Sequence, residues 1–326
     1  MPVPGTELGV RLGIVLARSL AWAIACFGLG PLRCLGAVAG VLISLGNSRE
    51  AKVTRVNVRL VYGDKDRAWR RRLVRASLQH TSMTLMEATA LWTWPLARLA
   101  KLQKGVEGEE LLTRRRRGRG AIVLVPRFGN WEFLGYYLNT LETLTPLYQR
   151  RRSEAVDQAL AAARDRLGSR SAPDSVAGLR QLVKTLRAGG LLAILPDQVP
   201  SADSAVAAPF FGRPALTMSL VSKLLQRTDA DIVVGTATRV PGGFGIRLEA
   251  IDDAVRHPDP AVGARTINAA IEAVVARDPA QYQWEYKRFR LPDEPGIYTD
   301  RWSSGRQNGA RPKGVIARRA RPPKRP

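Results

Sequence analysis

Hydrophobic positions change regime several times along the chain. From Leu8 to Leu45 they run almost unbroken, with Arg11, Arg18 and Arg33 as the charges and Gly30-Pro31 as a break between two segments. Spanning a bilayer takes about twenty consecutive apolar residues, so the pattern predicts two short helices lying in or dipping into an interface, with the arginines reaching the headgroups. The stretch outruns a signal-peptide core and no small-x-small cleavage site follows, so it reads as an uncleaved anchor. From Asp64 to Trp94 the apolar residues Trp69, Leu73, Val74 and Leu78 recur at helical spacing between arginines. This predicts an amphipathic helix leading into a second one over Met83 to Leu91, its basic face either on a membrane or in solvent.

The pattern then becomes short apolar runs alternating with helical ones. Ala121 to Val125, between Gly120 and Pro126, predicts a strand buried on both faces. Phe128 and Gly129 make a turn, and Asn130 is a favoured helix N-cap, placing Trp131 and Glu132 in a first helical turn whose dipoles point back at the strand end. Leu144 to Tyr148 predicts a strand and Glu154 to Leu167 a helix. Val176, Leu179, Leu182, Val183 and Leu186 mark another helix, ended by Gly189-Gly190. Leu191 to Leu195 repeats the opening arrangement, with Asp197 and Gln198 at its carboxyl end. Pro209 to Gly212 predicts an apolar turn before a helix over Thr217 to Gln226. Ile232 to Arg239 and Gly245 to Leu248 predict a hairpin about Pro241-Gly242-Gly243, and Pro260 to Ala276 a last helix. Alternating strands and helices predict an α/β fold, a mixed, mainly parallel sheet flanked by helices. The domain reading is an N-terminal membrane-associating region over residues 1–46, a main α/β domain over 47–299 and a basic disordered tail over 300–326.

Charge adds a partner class. The 326 residues carry 51 Lys+Arg against 28 Asp+Glu, a formal charge of +23, which suits an anionic membrane surface, an acidic carrier protein or nucleic acid. Zinc-ligand spacing, an RNA-binding aromatic signature and a helix-turn-helix are all missing, so nucleic acid ranks below the other two. The two cysteines, Cys26 and Cys34, give no disulfide framework and favour a reducing, cytosol-facing location.

Taken in order, Arg127–Glu132 (RFGNWE), the LYQRRRSEAVDQ segment with Arg164 downstream, LPDQ at 195–198, PFFG at 209–212 and YQWEYKRF at 282–289 resemble the lipid A biosynthesis acyltransferases, the late enzymes that add secondary acyl chains to lipopolysaccharide precursors. The resemblance covers roughly residues 10 to 295. It implies a glycerolipid acyltransferase-like fold and transfer of a fatty acyl group from an acyl carrier protein thioester to a hydroxyl of a lipid A precursor. It also implies a location on the cytoplasmic face of the inner membrane, with no metal and no organic cofactor. The family's site is a histidine, the general base on the acceptor hydroxyl, with an acidic residue five positions later that orients it.

Glu132 falls on the acidic position, but the histidine position holds Arg127. A guanidinium stays protonated and has no acceptor nitrogen, so Arg127 takes no proton. Two roles remain open for it: binding negative charge beside the helix N-terminus with Glu132 as base, or an ion pair with Glu132 that holds the turn. The resemblance further marks Asn130, Arg164, Asp197 and Arg239 as substrate-binding or orienting. Gln149 stands where the family has an arginine, with Arg150 next to it. His80 and His257 match no catalytic position. Two readings follow: an acyltransferase with an altered site, or a weak or inactive relative that binds lipid or carrier protein.

Overall fold

A computed structural model describes residues 27–116, 118–148, 166, 168–169, 172–173, 176–201, 204–291 and 295–298. Its centre is a seven-stranded sheet. In chain order the strands are β1 (Gln103–Glu107), β2 (Ala121–Leu124), β3 (Leu144–Tyr148), β4 (Ala172–Pro173), β5 (Leu191–Ile194), β8 (Asp231–Val240) and β9 (Gly243–Ala250), and in space they run β1-β9-β8-β2-β5-β3-β4. Only the β8–β9 hairpin is antiparallel; β2 pairs in parallel with β5 on one side and β8 on the other. Strand β2 is thus the middle of the sheet. Its even positions, Ile122 and Leu124, join one core cluster with Leu192, Ile194, Ile232 and Val234, and its odd positions, Ala121 and Val123, join the other with Leu191, Ala193 and Val233. Burial on both faces is what turns the expected alternation into a continuous apolar run.

Helices cover both faces. Leu182 and Leu186 of α7 (Val176–Arg187), and Ile267, Ile271, Val274 and Val275 of α9 (Pro260–Arg277), fill the first cluster, while Phe133, Leu134 and Leu138 of α6 (Trp131–Leu141) fill the second. Helix α3 (Arg67–Thr93) belongs to both. Its N-terminal half supplies Leu73, Val74 and Leu78 to one cluster, and its C-terminal half supplies Ala90 and Leu91 to the other. It therefore lies across the end of the sheet. The sequence pattern splits this stretch in two, but no breaker interrupts residues 67–93, and Asp66 caps the single 27-residue helix by accepting from the Trp69 N–H at 2.7 Å.

At the N-terminus, helix α1 (Leu29–Leu45) runs through Gly30 and Pro31, which occupy its first turn, where a proline is tolerated; they begin a helix instead of breaking one. The helix packs tightly on α3. A Cβ on Gly36 would meet the Met83 backbone at 2.6 Å, and one on Gly40 the Gln79 backbone at 2.3 Å, so only glycine permits this approach. Helix α2 (Arg49–Val61) follows, capped by Ser48. Among the described residues no single helix is long and apolar enough to cross a membrane; α1 and α2 meet such a test only as a pair bent by 78°.

Two further regions differ from the sequence expectation. Residues 205–218 form an antiparallel hairpin, β6 (Ala205–Phe210) and β7 (Arg213–Met218), in place of a turn and early helix; only Leu220–Leu225 is helical. Its two-residue turn is Phe211-Gly212, with φ of 48° and 70°, the double positive φ of a tight hairpin. Strand β1 is a largely exposed edge strand with no apolar alternation to announce it. The expected helix over 154–167, apart from Arg166, which is helical, the apolar segment before residue 27 and the basic tail lie outside the described residues.

Candidate active site

Strand β2 delivers its carboxyl end into a turn whose backbone is fully tied. Val125 N–H continues the register by donating to Ile194 O at 2.8 Å, and Arg127 N–H donates to Asp197 Oδ2 at 2.9 Å. Gly129 N–H donates to Gln281 O at 2.9 Å and Asn130 N–H to Ala237 O at 2.8 Å, while Arg127 O accepts from Gln283 N–H at 2.9 Å. Gly129 sits at φ +60°, and a Cβ there would lie 2.1 Å from Ala237 O. Residues 281–283 of the YQWEYKRF stretch therefore clamp the RFGNWE turn. That explains in backbone terms why the two motifs occur together. Asn130 caps α6 by accepting from Phe133 N–H at 2.9 Å, and Glu132 lies in the first turn, partly buried.

Beneath the turn is a buried charge cluster. Glu87 of α3, 1% exposed, accepts from Arg33 Nε at 2.7 Å, from Arg239 Nε at 2.9 Å and from Asn130 Nδ2 at 2.9 Å, with Arg239 Nη2 also 2.8 Å away. Arg239 also donates to Thr84 Oγ1 and to Gln281 Oε1 through its backbone N–H at 2.9 Å, and its Nη1 lies 3.5 Å from His80 Nδ1. Arg33 donates to Val240 O and Gly243 O, each at 2.7 Å. One carboxylate thus joins α1, α3, the RFGNWE turn and the β8–β9 hairpin. Burial, then the Arg239 charge, pushes the His80 imidazole down to about 4, so it stays neutral near pH 7.

The Arg127 guanidinium lies over the Tyr286 ring at 4.1 Å. The carboxylate it faces is Asp197, fully buried, with Nε to Oδ1 at 3.9 Å. That is too long for a hydrogen bond, and among the described residues neither atom has a hydrogen-bond partner. Tyr286 is held in turn by accepting from Val199 N–H at 2.9 Å. Next to it Glu285 accepts from Thr81 Oγ1 at 3.0 Å. Burial raises the Glu285 carboxyl above the ordinary range, against the opposing pull of its backbone, Thr81 and Arg127.

The structure thus brings Arg127, Asn130, Glu132, Asp197 and Arg239 to one end of the sheet. Asn130 and Arg239 turn their polar atoms to Glu87, Thr84 and the α6 cap, so both position the turn from below. Arg150 and Arg164 lie outside the described residues. Glu87, Arg33, Tyr286 and Glu285 are not singled out by the sequence; the YQWEYKRF stretch is the signal that carried the last two. Arg288 donates to Leu216 O, Thr217 Oγ1 and Asn268 Oδ1, so its hydrogen-bond partners are neutral oxygens. Among the described residues no three His, Cys, Asp or Glu side chains gather as metal ligands would. A groove of about 490 Å³ lined by Leu179, Arg180, Val183, Lys184, Arg187 and Arg227 lies along α7 and contains none of these site residues.

The sequence profile of the family described as bacterial lipid A biosynthesis acyltransferase matches residues 8–291. The lipid A biosynthesis palmitoleoyltransferase of Escherichia coli (strain K12) is 26% identical over 278 residues, covering 81% of this chain and 90% of that protein. The lipid A biosynthesis lauroyltransferase of the same organism is 24% identical over 282 residues, with 86% and 92% covered. A lipid A biosynthesis acyltransferase of Haemophilus influenzae is 25% identical over 296 residues, with 88% and 93% covered. A match this long, running through the strand, the tied turn and the segment that clamps it, places the chain in the bacterial lipid A biosynthesis acyltransferase family.

Proposed function

We propose that this acyltransferase moves a fatty acyl chain from an acyl carrier protein thioester to a hydroxyl of a lipid A precursor, at the cytoplasmic face of the inner membrane. The observation that carries the reading is the tied turn, which fixes Arg127 beside the N-terminus of α6 with its guanidinium on Tyr286. Attack of a hydroxyl on a thioester carbonyl builds negative charge on the carbonyl oxygen. A fixed cation and the first amides of a helix stabilise that charge without reorganising. Arg127 takes no proton, so a carboxylate of the site takes the acceptor's proton; Glu132, in the first turn of α6, stands where the resemblance gives the orienting acid.

The membrane reading is supported by one face of α1. Leu35, Val38, Leu42 and Leu45 are 50%, 60%, 65% and 69% exposed and follow one another at helical spacing, and Leu85 of the neighbouring α3 is 65% exposed. Apolar side chains at that exposure gain free energy on entering lipid, and the gain persists in salt. The basic composition supports the anionic surface and the acidic carrier as partners.

Arg127 at the histidine position favours one second reading, a member that binds lipid or carrier protein and transfers little or nothing. Incubating the protein with acyl carrier protein thioester and lipid A precursor separates the two. The first reading predicts acylated lipid and free carrier thiol; binding of both partners without product supports the second.

A further inference from the structure

We propose that Glu285 is the general base of this acyltransferase, the group that removes the proton from the acceptor hydroxyl in place of the missing histidine. The inference rests on the acyl-transfer reading above and assigns the proton that Arg127 leaves without an acceptor.

The position of Glu285 follows from the clamp. Gln283 N–H bonds Arg127 O, and Tyr286 stacks under the Arg127 guanidinium, so Glu285 is held between two residues that both contact Arg127. Its side chain leaves on the α3 side, where the Thr81 hydroxyl donates to Oε2 at 3.0 Å. The charged groups that act on it are Arg127 from the turn and Glu50 from α2. Among the described residues it makes no ion pair, although it is only partly open to solvent. A glutamine would accept the same hydrogen bond without the penalty of a desolvated charge, so fold stability alone gives no reason for an acid here. Chemistry gives one: a carboxyl lifted above its ordinary range by burial is a stronger base than a solvated one, and Arg127 nearby keeps its ionised form accessible.

The other groups are less suited. Asp197 is fully buried, with Oδ2 accepting from the Arg127 backbone N–H and Oδ1 turned to the Arg127 guanidinium, so neither oxygen is open to an incoming hydroxyl. His80 faces Arg239 and titrates at about 4. In the proposed step Glu285 takes the hydroxyl proton as the acceptor oxygen bonds to the thioester carbon, and Arg127 faces the resulting oxyanion. Collapse breaks the carbon–sulfur bond, and the proton on Glu285 passes to the leaving thiolate, releasing the carrier thiol and regenerating the carboxylate.

The test is steady-state acyl transfer from a carrier-protein thioester to lipid A precursor across pH 4.5 to 9, for wild type, Glu285→Gln, Glu132→Gln and Thr81→Val. General-base catalysis is worth roughly 10² to 10⁴ in rate. Glu285→Gln is expected to lower kcat by about 100-fold or more, with KM within about threefold, an unchanged Tm and no acidic limb in the pH profile. Thr81→Val removes a donor to the ionised form and should move that limb to higher pH. Glu132→Gln should keep the limb. The inference is overturned if Glu285→Gln keeps kcat within a few-fold, if its loss comes with a lowered Tm, or if the limb disappears with Glu132 instead; in each case acyl transfer by the wild type leaves the functional reading standing. A wild type that transfers no acyl group overturns both.

Discussion

Replacing Glu87 by glutamine should damage the fold and the site together, because one buried carboxylate is the shared counter-ion of two guanidiniums. Glu87 is 1% exposed and Arg239 4% exposed at their side chains, with Arg33 at 16%. Removing one partner of a buried pair costs about 3–5 kcal/mol, since the remaining charge has neither water nor counter-ion. Glutamine retains one acceptor oxygen, which places the expected loss near the lower figure, but it leaves two cations facing each other across the cluster. At roughly 2–4 °C per kcal/mol, thermal unfolding should come some 6–12 °C earlier. Acyl transfer measured well below that temperature should also fall, because Asn130 Nδ2 loses its acceptor and the turn carrying Arg127 loosens. The control is the triple change Glu87→Leu, Arg33→Met, Arg239→Met, which removes all three charges and should recover most of the lost stability. A Glu87→Gln protein within about 1 kcal/mol of wild type, by urea unfolding, would show that the cluster is hydrated or rearranged and refute the argument.

Gly129→Ala should reduce kcat more than stability: the φ of +60° and the 2.1 Å approach to Ala237 O force the turn to move, so activity and Tm measured on one preparation should diverge. Val38→Lys with Leu42→Lys should leave Tm unchanged but weaken binding to anionic vesicles about tenfold or more at high salt; retention at wild-type affinity would remove α1 as the docking face. Burial, then the Arg239 charge, pushes the His80 imidazole down to about 4 from the ordinary 6.5. The folded state therefore favours the neutral imidazole, and its contribution is full above pH 6.5 and is lost as pH falls from there to 4. His80→Gln should flatten the stability profile in that window, as followed by urea unfolding at fixed temperatures. Arg127→His placed in the Glu285→Gln background should restore acyl transfer at least tenfold, because an imidazole facing Asp197 supplies the lost proton acceptor.

The parts of this fold legible in the sequence are those where local pattern and tertiary role agree. Strand β2, the Asn130 cap, the β5 repeat and the β8–β9 hairpin are announced by apolar runs, a capping residue and a Pro-Gly turn, and each lies within a residue or two of its expected bounds. The β6–β7 hairpin was hidden because its turn, Phe211-Gly212, requires a positive φ at phenylalanine, which no propensity suggests. Strand β1 was hidden because an exposed edge needs no apolar face. At the site, Glu132 is visible as a match to a motif and Arg127 as a departure from it. Glu87 and Glu285 were not, because a buried acid on an amphipathic helix or in an aromatic stretch looks like any solvated carboxylate until its distant partners, Arg239 and Thr81, are brought to it. The N-terminal apolar run looked like an anchor alone. Yet Leu32 is fully buried, and Gly36 and Gly40 lock the helix onto α3, so α1 serves the core on one face while exposing leucines on the other.

The central claim is that a family member with arginine at the histidine position still transfers acyl groups. It is tested most directly by single-turnover reaction of the purified full chain, on anionic vesicles, with a labelled acyl carrier protein thioester and a lipid A precursor. The account predicts label appearing in the lipid in step with release of carrier thiol, in wild type and not in Glu285→Gln. Stable binding of both partners to the wild type, with the thioester intact after the vesicles are saturated, would contradict it.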